Sequence, residues 1–445
     1  MTQPQDLGLR SQASAIASGE LDPGDLLQGT LSRLGERDGR LNSIPVRFPE
    51  RSLEMLEDAP SGPLHGVPIA IKDMYTLPWR GMFNGTAHEL LPPGESGMYR
   101  LLRDAGAVII GVTNQHYLGM GTTGIASAYG PAANPWHLDH CAGGSSGGSA
   151  AAVGARLVAG SIGSDTGGSS RLPAAYCGVV GLKLTFGGVP RGGYLGQNSQ
   201  LSAPGIFGRD SGDVRLLTEA VLRRRLPAGS GSGLRVGLVR TPYWDNIDPE
   251  VESACQTAID ATGWKRVDVL IEGTEHAQAA GAVLSGSALG SSFNAAVVRE
   301  AEPLTRALIH EMLLWPATLI PRADRIRAQL RRSVARAFAD CDVMAWPTSP
   351  APAPPISSPI LQLPDGTVPA DPANLRQATL ANLTGLPGVS APVGLSSTGL
   401  PIGLQFHAPW GAEAALLDAA EHLETVTERQ HVDAVPPIGR EVTVR

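Results

Sequence analysis

Lysine is nearly missing from this chain. Lys72, Lys183 and Lys265 are the three in 445 residues whose Lys and Arg together number 35. Surface cations here are arginines, so a lysine invites a reason that Arg cannot meet, such as giving up its proton. Cysteine is scarce too: Cys141, Cys177, Cys255 and Cys341 have neither metal-ligand spacing nor the density of a disulfide framework. No apolar run reaches about 18 residues, which excludes an obvious membrane helix. The start, "MTQPQDLGLRSQ", has no basic segment followed by an apolar one, so a signal peptide is not expected and a cytoplasmic setting is. Positive charge is not in surplus. A net charge of −7 and a pI near 5.8 give no electrostatic reason to expect nucleic acid or an anionic membrane. With 42% hydrophobic and 17% charged residues the composition is globular. The arginine-rich stretches at 223–226 and 325–332 read as solvated helix faces.

Two glycine motifs are also missing. No G-x-x-x-x-G-K-[ST] loop is present, and no G-x-G-x-x-G lies between a strand and a helix with an acid downstream. Yet residues 141–178, "CAGGSSGGSAAAVGARLVAGSIGSDTGGSSRLPAAYCG", crowd Gly-Gly pairs and serines together. Backbone bared in this way lets N–H groups approach a bound oxygen, as in an anion nest or an oxyanion hole. Without a phosphate motif the acyl-transfer reading leads, and it requires a nucleophile and a base. None of the ten histidines, His65, His116, His137, His140 and His407 among them, sits in a known serine-hydrolase setting, and no G-x-S-x-G elbow occurs. Lys72 is the sharper candidate. It ends the apolar run "VPIAIKD", where desolvation lowers a lysine pKa and leaves a neutral amine able to act as base. The alternative is an ion pair with adjacent Asp73 at a strand end.

Along the chain, residues 1–58 read as helical and polar, with Asp22 or Asp25 capping the second helix. "VPIAI", "AVIIGVTN", "LRVGLVR", "DVMAWPTSP" and "GLPIGLQFHAP" read as strands, "GGSAAAVGARLV" (147–158) and "AEAALLDAAEHLETV" as helices. This alternation points to an α/β sheet. Residues 247–340 look mostly helical, and "APAPPISSPILQLPDG" reads as an ordered surface excursion. No internal repeat or domain boundary stands out.

The stretch "GGSSGGSAAAVGARLVAGSIGSDTGGSSRLPAAYCGVVGLK" (143–183) resembles the signature of the amidase signature family. "PLHGVPIAIKD" (63–73), "LRDAGAVIIGVTN" (102–114), "SAYGPAANPW" (127–136) and "GLPGVSAPVG…GLPIGLQ" (385–405) resemble family segments in the same order. The resemblance implies a three-layer α/β/α fold with a mixed central β-sheet. One domain over 1–445 is expected: a helical segment (1–58), a catalytic core (59–210), a mostly helical insertion (211–340) and a return to the core sheet (341–445). It further implies a Ser–cis-Ser–Lys triad. By motif position the nucleophile is Ser169, the bridging serine Ser145 and the base Lys72. Ser170 and Ser146 are the neighbours of the two serines, and the family pattern favours the first of each pair. The backbone N–H groups of Thr166, Gly167, Gly168 and Ser169 are expected to form the oxyanion hole, and Ser146, Asp165 and Arg171 to support the loop. Met120, Gly121, Thr122, Tyr194 and Gln197 are the pocket candidates. Cys141 and Cys177 are read as structural. No metal or organic cofactor is implied, and family members are often homodimers.

Glutaminase subunits of tRNA-dependent amidotransferases share the signature, but this chain departs from their pattern. Leu184 and Gly188 replace a proline and an arginine. Ala412 stands where those subunits carry an Asp for the glutamine amino group. The expectation is therefore an amidase acting on a small non-peptide amide. The alternatives are the glutaminase subunit, with partner subunits, or an acyl-transferase or amide synthase using the same triad.

Overall fold

The structure is a computed structural model that describes residues 3–190, 192–194, 200–290 and 295–427. Thirteen strands are found among them: β1 (Val46–Arg47), β2 (Pro68–Lys72), β3 (Val108–Thr113), β4 (Gly160–Asp165), β5 (Val180–Lys183), β6 (Ala203–Gly208), β7 (Arg235–Leu238), β8 (Lys265–Asp268), β9 (Val343–Pro347), β10 (Ile360–Leu363), β11 (Gly366–Pro369), β12 (Gly388–Leu395) and β13 (Pro401–His407). Eleven of them form one sheet in the order β1-β3-β2-β4-β6-β5-β12-β13-β9-β7-β8, and β10 and β11 form a separate hairpin. The sheet is mixed. β3, β2 and β4 run parallel, as do β9, β7 and β8, and antiparallel pairs join these blocks. Helices cover both sides, so the α/β/α architecture with a mixed central sheet is the observed one.

β2 and β3 are buried along their whole length, as expected of β-branched runs inside a sheet covered on both faces. Asp22 caps the helix Pro23–Arg37 by accepting from the N–H groups of Gly24 and Asp25, which decides between the two candidates. Three strands escape a reading by pattern. β4 is "GSIGSD", poor in the residues that mark strands, and β5 and β6 are similarly glycine-interrupted. The helix expected over 147–158 is Gly147–Gly154. It stops because Arg156 takes a left-handed conformation (φ 58°) before the chain enters β4. "RRRL" does not continue a helix either, since Arg223 (φ 54°) ends Ser211–Leu222. Segment 211–340 supplies β7 and β8 to the sheet edge besides its helices. The proline-rich excursion is tied down: Cys141 N donates to Pro354 O, and Ile356 N to Asp139 O. No helix among the described residues is long and apolar enough to cross a membrane.

Candidate active site

Lys72 is the last residue of β2, with its side chain wholly buried. Its Nζ donates to Ser145 Oγ at 2.7 Å, Ser146 Oγ at 2.9 Å and Ser164 Oγ at 2.9 Å. Three hydroxyls thus account for all three ammonium donors. Burial pushes this lysine down to about 7, with the Asp165 carboxylate pulling the other way. In the neutral form one hydroxyl must donate to the nitrogen lone pair, so the cage is already wired for proton transfer. Pairing with Asp73 does not occur. Asp73 is bound by Arg80 at 2.5 Å and by Gly85 N instead.

Ser145 follows a cis peptide bond from Gly144 and precedes the helix Gly147–Gly154. Ser146 also donates to Ser164 O and accepts from Ser164 N, so it belongs to the cage around Lys72. Ser164 was not legible as a member. Only the parallel pairing of β2 with β4 brings it there, and the identity of that neighbouring strand is not written in either segment.

Beyond β4 the chain turns through Thr166–Ser170 into the helix Arg171–Cys177. Asp165 organises this turn. Its Oδ1 accepts from Gly168 N (2.8 Å), Arg171 Nη2 (3.1 Å) and Asn382 Nδ2 (2.8 Å). Its Oδ2 accepts from Ser170 Oγ (2.7 Å) and Arg171 Nε (3.1 Å). Burial alone would raise this carboxyl, but Arg171, its hydrogen bonds and Lys183 outweigh that and hold it well below the usual range. Ser170 is committed to Asp165 and fully buried, whereas Ser169 is 7% exposed with a hydroxyl that makes no hydrogen bond among the described residues. The two neighbours are thereby told apart.

The expected oxyanion donors divide. The N–H groups of Thr166, Gly167 and Ser169 have no partner among the described residues. Gly168 corrects the expectation, because its N–H is spent on Asp165. Its glycine identity has a different cause. The backbone sits at φ 97°, and a Cβ there would lie 2.4 Å from Ala378 Cβ and 2.8 Å from Leu172 Cδ1. Gly168→Ala is expected to cost about 1–3 kcal/mol, read as a lowered denaturant midpoint at unchanged slope.

Of the pocket candidates, Met120 and Gly121 are partly exposed beside Ser145. Thr122 is spoken for: its N and Oγ1 both donate to Asp371 Oδ1, at 2.7 and 2.6 Å. Tyr194 is a correction. At 2% exposure it stacks on Tyr75 and hydrogen-bonds Ser202, which accepts from Thr166 Oγ1, so it backs the loop and offers no surface to a ligand. Gln197 lies outside the described residues. Cys141 and Cys177 are buried, and burial pushes the Cys141 thiol up to about 12 and that of Cys177 higher still, which suits packing and not nucleophilic attack. No cluster of metal-binding side chains occurs among the described residues.

Sequence reasoning missed the helix Ala370–Thr384, which grips the turn along one face. Asn382 binds Asp165, Ala378 packs on Gly168, and Leu375 approaches Gly167. It also missed Gln405, whose Oε1 accepts from Arg171 Nη1 at 2.8 Å. A second buried lysine stands behind the turn. Lys183 donates to Leu184 O and Leu386 O, and burial lowers it to about 7.

A family model described as Amidase matches residues 25–417. The A-type subunit of glutamyl-tRNA(Gln) amidotransferase from Chromohalobacter salexigens is 31% identical, over 98% of this chain and 99% of its own length. Among solved structures, one described as an amidase aligns with a TM-score of 0.87 at 26% identity, covering 94% of this chain and 99% of its own. The 6-aminohexanoate cyclic dimer hydrolase complexed with substrate aligns with a TM-score of 0.84 at 26% identity, covering 98% of this chain and all of its own.

Proposed function

The chain belongs to the amidase family, and on that premise we propose that it cleaves an amide C–N bond through an acyl-enzyme on Ser169. The observation that carries this reading is the three-hydroxyl cage on a buried, near-neutral Lys72. Neutral Lys72 takes the proton of Ser145 as Ser145 takes that of Ser169. Ser169 Oγ attacks the carbonyl carbon, and the oxyanion is met by the N–H groups of Thr166, Gly167 and Ser169. The proton returns through Ser145 to the leaving nitrogen as the C–N bond breaks. Water, deprotonated by the same relay, then resolves the ester. The Ser145–Ser169 link is not a hydrogen bond in this structure, and in free enzymes such links often tighten only with substrate bound.

For the acyl donor, two readings have support. Leu184, Gly188 and Ala412 favour the small non-peptide amide expected from the sequence. The likeness to the amidotransferase glutaminase component over nearly the whole chain favours glutamine, with partner subunits, and has the broader support. A homodimer and a water or amine acceptor belong to the same proposal.

The test is ammonia release from a panel containing glutamine, asparagine, aliphatic and aryl amides and ureido compounds. Ser169→Ala is expected to abolish release from whichever amide is turned over. Ser170→Ala is expected to retain catalysis, with any loss tracking its stability. Release that survives Ser169→Ala would sink the acyl-enzyme reading. Glutamine turnover alone selects the amidotransferase reading, and a non-amino-acid amide turned over with glutamine untouched selects the other.

A further inference from the structure

The wall formed by residues 116–123 carries polar groups that the relay leaves unused. His116 is 4% exposed and its Nδ1 has no partner, although its backbone N–H donates to Ser145 O at 3.0 Å. The imidazole lies flat against Gly121, where a Cβ would fall within 2.5 Å of three ring atoms. Thr123 is 2% exposed and its Oγ1 is likewise unpartnered. Native proteins leave few buried polar atoms unsatisfied, so two beside one catalytic serine require an explanation.

Asp371 supplies it. Its Oδ1 is occupied by Thr122, and Thr122 is fixed in turn by Asn374 Nδ2 at 3.1 Å, but its Oδ2 has no partner among the described residues. Asp371 lies one turn before Leu375, whose Cδ2 would meet a Cβ on Gly167 at 3.0 Å. The carboxylate therefore stands between the Ser145 turn and the Ser169 turn. Burial keeps the His116 imidazole below its ordinary value, while Asp371 and Glu302 pull it up and Lys72 pulls it down.

We propose that Asp371, with His116 and Thr123, forms a specificity wall that receives an ammonium or similarly cationic N–H-bearing end of the acyl donor. This rests on Ser169 being the nucleophile. It gives a substrate ammonium the carboxylate partner that Ala412 cannot offer.

The experiment compares kcat/KM for matched amides in the wild type and in Asp371→Asn, which keeps an acceptor for Thr122. The pairs are glutamine with glutaramate, and ω-amino alkanamides with the alkanamides bearing a methyl group in place of the ammonium. The ammonium-bearing member of at least one pair is expected to be favoured about tenfold or more, and Asp371→Asn to collapse that ratio toward unity. A ratio unchanged by Asp371→Asn, or an equal loss for both members, overturns the proposal and leaves Asp371 only holding Thr122. Failure of the wild type to turn over any ammonium-bearing amide overturns it as well. Fluorophosphonate labelling of Ser169, which needs no acyl-donor recognition, then judges the nucleophile separately.

Discussion

Lys72→Met is expected to lower kcat/KM by about 10³-fold or more while the protein stays folded. Methionine roughly fills the volume of the lysine stem but cannot accept the proton of Ser145, so the relay loses its terminus. The pH profile gives the sign. With Lys72 at about 7, the wild type is expected to gain activity as pH rises through that value and to level off above it. The residual activity of the variant should lack this limb. Stability carries the same signature. Lys72 in the folded chain binds its proton more weakly than in the unfolded chain, where the ordinary value of 10.5 applies. The unfolded state thus holds more protons between about 7 and 10.5, and stability falls as pH is lowered across that window. Lys72→Met removes this share of the slope, while Lys183, shifted in the same direction, keeps its own. A variant retaining more than a few per cent of activity would remove Lys72 as the base.

Arg171→Ala is expected to destabilise the fold more than Gly168→Ala or either serine variant. Arg171 and Asp165 are both wholly buried, and removing the guanidinium leaves a carboxylate in the interior without its cation. Breaking a buried pair from one side costs about 3–5 kcal/mol. The same deletion strands Gln405 Oε1, Ala378 O and Asn382 Oδ1, each a partner of Arg171. Because Asp165 holds Gly168 N and Ser170 beside the nucleophile, activity should fall with stability. Denaturant unfolding checks the first effect. Adding Asp165→Asn to Arg171→Ala should recover part of the loss, since the two residues share one interaction. A single-variant loss below about 1 kcal/mol would contradict the part assigned to the pair.

How much could be read beforehand depended on whether a residue's task was local. Lys72 stood out because lysine is so rare here and because the run before it is plainly a buried strand. Ser145, Ser169, Asp165 and Arg171 lie within one continuous motif. Strands β2, β3, β9 and β13 announced themselves by apolar, β-branched composition. β4, β5 and β6 did not, because glycines and serines chosen for close packing suppress the pattern on which strand recognition depends. Partners separated by hundreds of residues were invisible: Asn382, Gln405 and Asp371 reach the site only through sheet order and helix placement, which no local spacing encodes. Gly168 shows the subtler limit. Its place in the Gly-Gly-Ser turn was legible, yet whether its N–H faces a substrate oxygen or Asp165 was a question of three-dimensional geometry.

Catalysis by this relay depends on Ser169 being activated by Lys72 through Ser145, and one measurement reaches that chain directly. It is the rate at which a fluorophosphonate modifies the protein as a function of pH, with the adduct located by peptide mass spectrometry, in the wild type and in Lys72→Met. The predicted result is an adduct on Ser169, formed at a rate that climbs through an apparent pKa near 7, with both the rate and the climb lost in the variant. An adduct on another residue, or a profile that Lys72→Met leaves unchanged, would contradict it.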